Sequence, residues 1–155
     1  MIGGGVAHRR LVGVPALAHR AQRRTQTVLS PIDIEAAFRA ASKGRADAVL
    51  VLTNPVLISQ RTQLTNVAVK SRLPAMYNSR DDVEIGGLMS YGPDREDMNQ
   101  RVAAIVDKIL KGRKPADLPV EQPKKFEFII NLKTAKQIGL TIPPNVLARA
   151  DKVIK

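Results

Sequence analysis

Glu84-Ile85-Gly86-Gly87-Leu88-Met89-Ser90-Tyr91-Gly92-Pro93-Asp94 is the stretch on which the fold turns. A glycine pair opens a short apolar run, and the run stops at Tyr91-Gly92-Pro93-Asp94 before a long amphipathic segment. The pattern predicts a tight loop, a buried strand over residues 88–91, a turn, and a capped helix over residues 94–110. Asp94 and Asp97 put acids in the first turn of that helix, and Lys108 and Lys111 lie near its end. Both biases suit the helix dipole, and Gly112 closes the segment. In open α/β sheets ligands sit at the carboxyl ends of strands, so the residues closing this run are candidates for a site.

The same grammar extends upstream. Ser30-Pro31-Ile32-Asp33 reads as a turn into a helix, with Ser30 or Asp33 as cap and Ile34, Ala37, Phe38 and Ala41 at helical spacing. The unbroken apolar run Ala46–Leu52 suits a strand covered on both faces. Thr53-Asn54-Pro55 ends it, and residues 56–71 read as a helix burying Val56, Ile58, Leu64, Val67 and Ala68. Residues 73–77 form a second strand, left at Asn78-Ser79, with a short helix over residues 80–85. Downstream, residues 112–125 carry Pro115, Pro119 and Pro123 and read as an extended connection. A fourth strand is expected over residues 126–131, a helical turn or two over residues 134–138, and a last helix from Pro143-Pro144-Asn145 to about Ile154. Alternating helices and strands predict an α/β fold with a doubly wound, mainly parallel sheet. Right-handed crossovers bring the strand exits to one edge.

Composition bounds the rest. The 155 residues make one domain, occupying residues 30–155 behind a basic, weakly structured leader at residues 1–29. In the leader, Gly3-Gly4-Gly5 reads as flexible, Pro15–Ala18 as a short helix and residues 26–29 as a short edge strand. Net charge is +11, and five Arg and no acid fall in the first 30 residues. Such an arm suits nucleic acid or an anionic membrane. However, aromatic residues make up only 3% and no nucleic-acid motif is present, so no nucleic-acid partner is expected, and a basic nucleic-acid binder, like a ligand-sensing α/β module without transport, stands as an alternative. There is no Cys, and both His (His8 and His19) precede the α/β part, which argues against zinc and against a Ser-His-Asp arrangement. Neither GxxxxGK[ST] nor GxGxxG occurs. The reading therefore calls for no cofactor and no metal.

At the predicted exits stand Thr53, Asn54, Tyr77, Asn78, Ser79, Gly87, Ser90 and Tyr91. Hydroxyls, amides and helix starts make a hydrogen-bonding surface for a small polar ligand, with unpaired N–H groups favouring carboxylates. Tyr77 and Tyr91, the two tyrosines of the chain, offer ring faces. The acids Asp81, Asp82 and Glu84 read as a solvated, dipole-favoured helix start rather than as an acid/base pair.

The run Gly86–Asp94 also resembles the substrate-binding proteins of bacterial ABC transporters, in the group related to putative tryptophan/tyrosine-binding proteins. The similarity continues through residues 106–112, Lys114-Pro115-Ala116-Asp117-Leu118-Pro119-Val120-Glu121-Gln122-Pro123, residues 126–136 and Gly139-Leu140-Thr141-Ile142-Pro143. The resemblance implies a type I periplasmic-binding-protein fold: two Rossmann-like lobes, ligand in the cleft between them, and closure that presents both lobes to a membrane permease. It implies no enzyme. This chain corresponds to most of the second lobe and the C-terminal segment, with Thr53-Asn54, Tyr77-Asn78-Ser79 and residues 87–91 facing the cleft. Aromatic amino acids are one ligand class that it suggests.

Family members are about twice as long and exported. The expectation is therefore a chain truncated at its N-terminus, whose residues 1–29 resemble an out-of-frame reading of GC-rich DNA. The resemblance implies a periplasmic or extracytoplasmic place, and a cytoplasmic one if the sequence is complete as given. Expected partners are a small solute and an ABC permease, with self-association through uncovered sheet edges.

Overall fold

Ser30 and Asp33 set the first helix, α1 (Pro31–Lys43). Asp33 reaches back so that its Oδ2 accepts from Ser30 N at 2.8 Å, Ser30 Oγ at 3.0 Å and Leu29 N at 3.0 Å. The two N–H groups are backbone donors that a helix start otherwise leaves unpaired. Ile34, Ala37, Phe38 and Ala41 are the buried face of α1, as their spacing requires.

A computed structural model of the chain describes residues 5–8 and 25–155. Their strands are β1 (Gly5–His8), β2 (Thr25–Thr27), β3 (Val49–Val51), β4 (Ala75–Tyr77), β5 (Met89–Pro93), β6 (Phe126–Asn131) and β7 (Lys152–Ile154). The further helices are α2 (Pro55–Ser59), α3 (Arg61–Lys70), α4 (Arg80–Glu84), α5 (Arg95–Leu110), α6 (Leu132–Gln137) and α7 (Pro144–Leu147). One sheet holds the strands in the order β2-β1-β3-β4-β5-β6-β7. β3, β4 and β5 run parallel, as do β6 and β7, while the β1–β2, β1–β3 and β5–β6 joints are antiparallel. The expected α/β sheet with a parallel centre is present.

The strands sort side chains by the two-residue period. Val49, Val51, Ala75 and Tyr77 pack with α1 and α3 in a core that also takes in Val28, Phe38, Leu57 and Leu64. A second core gathers Leu88, Met89, Ile130, Ala135, Ile138 and Ile142. Each fully buried Phe, Ile or Leu contributes roughly 1.5–3 kcal/mol, and Phe38, Ile34, Leu57, Leu64, Ile129 and Ile130 are all in that class.

Four local expectations need correction. The helix over residues 56–71 breaks at Gln60 (φ −112°, ψ 28°), which shifts its phase: Leu57 is buried and Ile58 is 47% exposed. The last helix stops at Leu147, and Lys152–Ile154 pairs with β6 as a parallel strand. Gly5–His8, read as flexible at Gly5 and otherwise without structure, is a strand between β2 and β3. The amphipathic helix α5 forms, but none of its 16 residues is buried. Met98, Val102, Val106 and Ile109 instead make an exposed apolar stripe. The expected helix at Pro15–Ala18 and the arginines of the basic arm lie outside the described residues. Among the described residues no helix is long and apolar enough to cross a membrane.

Candidate functional site

β4 and β5 lie side by side and parallel, with Tyr77 opposite Ser90, so both leave the sheet at the same edge. β6 runs the other way and places Glu127 beside Gly92 and Phe126 beside Pro93. A cleft of about 380 Å³ opens at this edge, lined by Asn78, Ser79, Arg80, Ser90, Gly92, Pro93, Arg95, Met98, Asn99 and Glu127. That volume is in the range of small-molecule sites.

Each wall has a local cause. Ser79 caps α4, its side chain accepting from Asp81 N, and this aims Ser79 and Arg80 across the edge. Asp94 caps α5, accepting from Glu96 N at 2.9 Å and Asp97 N at 3.2 Å, and is itself held by Lys125 Nζ at 2.9 Å. The cap starts α5 at the cleft, so Arg95, Met98 and Asn99 line it. Gly92 lets the two exits touch: a Cβ there would land on the Asn78 carbonyl, with the carbonyl carbon at 2.9 Å. Only a residue without a side chain fits that approach. Ser90 is 2% exposed and borders the cleft.

Charges converge on α4. Asp81 Oδ2 accepts from Arg95 Nη2 at 2.6 Å and from Arg61 Nη1 at 2.8 Å. Arg61 Nε also meets Asp82 Oδ1 at 3.3 Å. Arg80 is shared between Glu84 Oε1 at 3.0 Å and Glu127 Oε2 at 3.7 Å. Of the acids expected on a solvated helix face, Glu84 is exposed, but Asp82 is buried and Asp81 half-buried, because the five-residue helix turns these two toward Arg61 and Arg95.

These surroundings move the titrations in opposite senses. Burial alone would raise the Asp81 carboxyl, but the Arg95 hydrogen bond and charge and then Arg61 outweigh it, and the group is held below the usual range. Asp94 is lowered by the Lys125 hydrogen bond and by the backbone donors of its helix. Asp33 is lowered by the Leu29 backbone, then by Ser30. Asp82 goes the other way, raised chiefly by burial and held back by Arg61. A lowered group lends stability above the unfolded pKa and loses it as pH falls through the folded value. Asp82 lends its contribution at low pH and loses it as pH rises through its raised value. Three lowered groups oppose one raised group. Urea midpoints measured from pH 6 to pH 3 are therefore expected to fall steadily below about pH 4, where model Asp groups titrate. A midpoint that holds or rises there would contradict this balance.

The residues expected at the site divide. Asn78, Ser79 and Ser90 meet at the cleft. Thr53 stands next to them, its hydroxyl donating to Asn78 Oδ1. Asn54 is committed to structure: Oδ1 caps α2 by accepting from Leu57 N at 2.8 Å, and Nδ2 donates to the Val28 carbonyl at 3.0 Å. Tyr77 offers no ring face at this edge; it is 1% exposed in the core, and burial, with the Asp82 charge, pushes its hydroxyl up. Gly87 makes room for the Tyr77 ring, since a Cβ there would come within 2.8 Å of it. Tyr91 follows Ser90 in the strand and so lies on the other face, stacked on Phe126 at 5.5 Å and edge-on to Phe128 at 6.5 Å. Sequence reasoning missed Arg80, Arg95, Met98, Asn99 and Glu127. Both arginines directly follow a capping residue at a strand exit, a signal hidden by attention to the neighbouring acids. Among the described residues no group of three or more His, Cys, Asp or Glu is placed to hold a metal.

Residues 20–154 match the family described as ABC transporter substrate binding protein. A tyrosine-binding protein of Clostridioides difficile is 26% identical over 97 residues, 63% of this chain and 28% of that protein. A conserved domain protein from Vibrio cholerae O1 biovar El Tor is 30% identical, with a TM-score of 0.74 over 83% of this chain and 43% of that one. An ABC domain from Streptococcus pneumonia, solved in complex with L-Trp, is also 30% identical, with a TM-score of 0.70 over 82% of this chain and 44% of the other. The chain thus spans less than half the length of the relatives it matches.

Proposed function

This chain belongs to the ABC transporter substrate-binding protein family, and on that premise we propose that it captures a small polar solute, an amino acid being the leading class, for delivery to a membrane permease. The observation that carries the reading is the cleft at the shared exit of β4 and β5, where Asn78, Ser79 and Ser90 bring hydrogen-bonding groups together. The similar domain in complex with L-Trp supports an amino acid as ligand. Capture is non-covalent: the cleft residues bind and orient, no bond is made or broken, and no cofactor takes part. The working place is extracytoplasmic, where such a permease collects its cargo. Asn78, Ser79 and Ser90 are the proposed contacts, while Thr53, Asn54, Tyr77, Gly87 and Tyr91 hold the walls.

Titration calorimetry with a panel of L-amino acids tests this. Binding is expected for a subset of the panel and weaker than micromolar, because the cleft is lined from one side and offers a ligand only part of the enclosure that tight sites give. A panel without heat or spectral change up to about 10 mM, a standard free energy near −2.7 kcal/mol, would sink the proposal. Light scattering on the same samples reads the expected self-association of copies through the apolar stripe of α5 and the outer strands β2 and β7. A strict monomer at all concentrations would remove that part.

A further inference from the structure

The cleft is basic on one side in a way that its hydrogen-bonding residues do not require. Arg95 lines it and is 60% exposed at the side chain, so its guanidinium reaches the opening. Among the described residues only its Nη2 is engaged, by Asp81 at 2.6 Å. Asp81 is in turn gripped from behind by Arg61, whose side chain is 27% exposed. The result is a chain of charges running from the α3 start through α4 to the cleft. It fixes one edge of the Arg95 fork and leaves the other edge for a ligand. Arg80, also on the lining, is occupied by Glu84 and Glu127. Ser90, 2% exposed, also borders the cleft.

We propose that Arg95 is the specificity-determining cation of the cleft, taking the carboxylate of the solute on the free edge of its guanidinium while Asp81, backed by Arg61, holds the opposite edge and Ser90 donates to the same ligand. The inference rests on the solute-capture reading above and names the chemical group that the capture recognises. An arginine presents donors in a planar fork that matches a carboxylate two-for-two, and a fork already anchored on one edge loses less freedom on binding. Asp81 is a positioning residue: it touches Arg95, not the solute. Burial pushes the Asp81 carboxyl up, but the two arginines outweigh it and hold the group below its ordinary value, which keeps the anchor charged.

The test compares L-tryptophan with L-tryptophanamide, which differ at the carboxylate, by NMR titration of the full chain. The wild type is expected to bind the acid at least ~10-fold more tightly than the amide, the worth of one charge-assisted pair. Arg95→Gln is expected to bring that ratio to about 1 by weakening the acid more than the amide, and Arg95→Lys to recover part of it, because lysine keeps the charge but not the fork. Asp81→Asn is expected to lower the ratio by about threefold, since a loosened arginine pays more entropy to pair. General damage to the fold would weaken acid and amide alike and leave the ratio where it was. An Arg95→Gln chain that keeps the wild-type ratio overturns the proposal while leaving solute capture standing. A wild type that binds neither compound, nor any other member of the amino-acid panel, up to about 10 mM removes the capture reading itself, and the arginine assignment with it.

Discussion

A Gly92→Val chain is expected to lose about 3 kcal/mol of stability, a fall in Tm of roughly 6–12 °C for a domain of this size. The added Cβ would fall on the Asn78 carbonyl, so the obstacle is backbone rather than the end of a flexible side chain. Asn78 cannot retreat freely, because β4 directly before it is paired to β5 through Met76–Met89 and Tyr77–Ser90. On its other side Gly92 is held to Glu127 of β6. Relief therefore requires opening one of two strand pairings at the edge that carries the cleft. Gly92→Ala already places the offending atom and should show most of the loss. Thermal melts of the two variants within 2 °C of wild type, about 1 kcal/mol or less, would mean that the exits do not touch as described.

Asn131→Ala is expected to cost about 2 kcal/mol, or roughly 4–8 °C in Tm. Asn131 ends β6 and begins α6, and it is 6% exposed. Its Oδ1 accepts from Thr134 N at 3.1 Å, and its Nδ2 donates to the Val83 carbonyl at 3.3 Å, 48 residues away. The neighbouring Thr134 hydroxyl donates to the Gly86 carbonyl at 2.9 Å. Together they tie the C-terminal segment to the loop behind α4, the helix that presents Ser79 and Arg80. Truncation removes the helix cap and leaves a buried backbone N–H without its acceptor. Asn131→Asp separates the two roles, since it keeps the cap acceptor but loses the donor to Val83. Urea unfolding should rank wild type above Asn131→Asp and Asn131→Ala. An Asn131→Ala midpoint equal to wild type would show that the tie carries no weight.

Much of this was readable from residues alone wherever a local rule decides the outcome. The buried face of α1 follows from its spacing and cap, and the start of α5 follows from Asp94, but the turn expected at Tyr91-Gly92-Pro93 is strand, because β6 pairs with those residues. Reading failed where distant chain decides. Val153 and Ile154 continue a helical pattern by composition, yet the edge of β6 claims them, and Asp151 Oδ2 accepts from Phe128 N at 2.7 Å to fix the register. Of the residues expected at the exits, Asn78, Ser79 and Ser90 line the cleft. Tyr91 was put with Ser90 although adjacent strand residues face opposite ways, a rule that argues against both facing one cleft. Tyr77 points inward by the same alternation that buries Ala75. Arg95 and Arg80 are placed by distant partners, Asp81 with Arg61 behind it for the one and Glu127 for the other, and no short sequence window holds those together.

The helix α5 remains the odd member of this fold. It is 16 residues long and well capped, but without a buried residue its hold on the body comes from its first turn and from the Arg101–Glu121 contact at 3.0 Å. Local opening of a protein starts where few apolar contacts resist it, and here that place is also a wall of the cleft, through Arg95, Met98 and Asn99. Amide hydrogen exchange should run fast along α5 and slow in β4 and β5, and a bound solute that bridges the two should slow it. Occupancy of the cleft and ordering of the helix then become a single equilibrium, in which part of the affinity is spent on stilling the wall that the ligand touches.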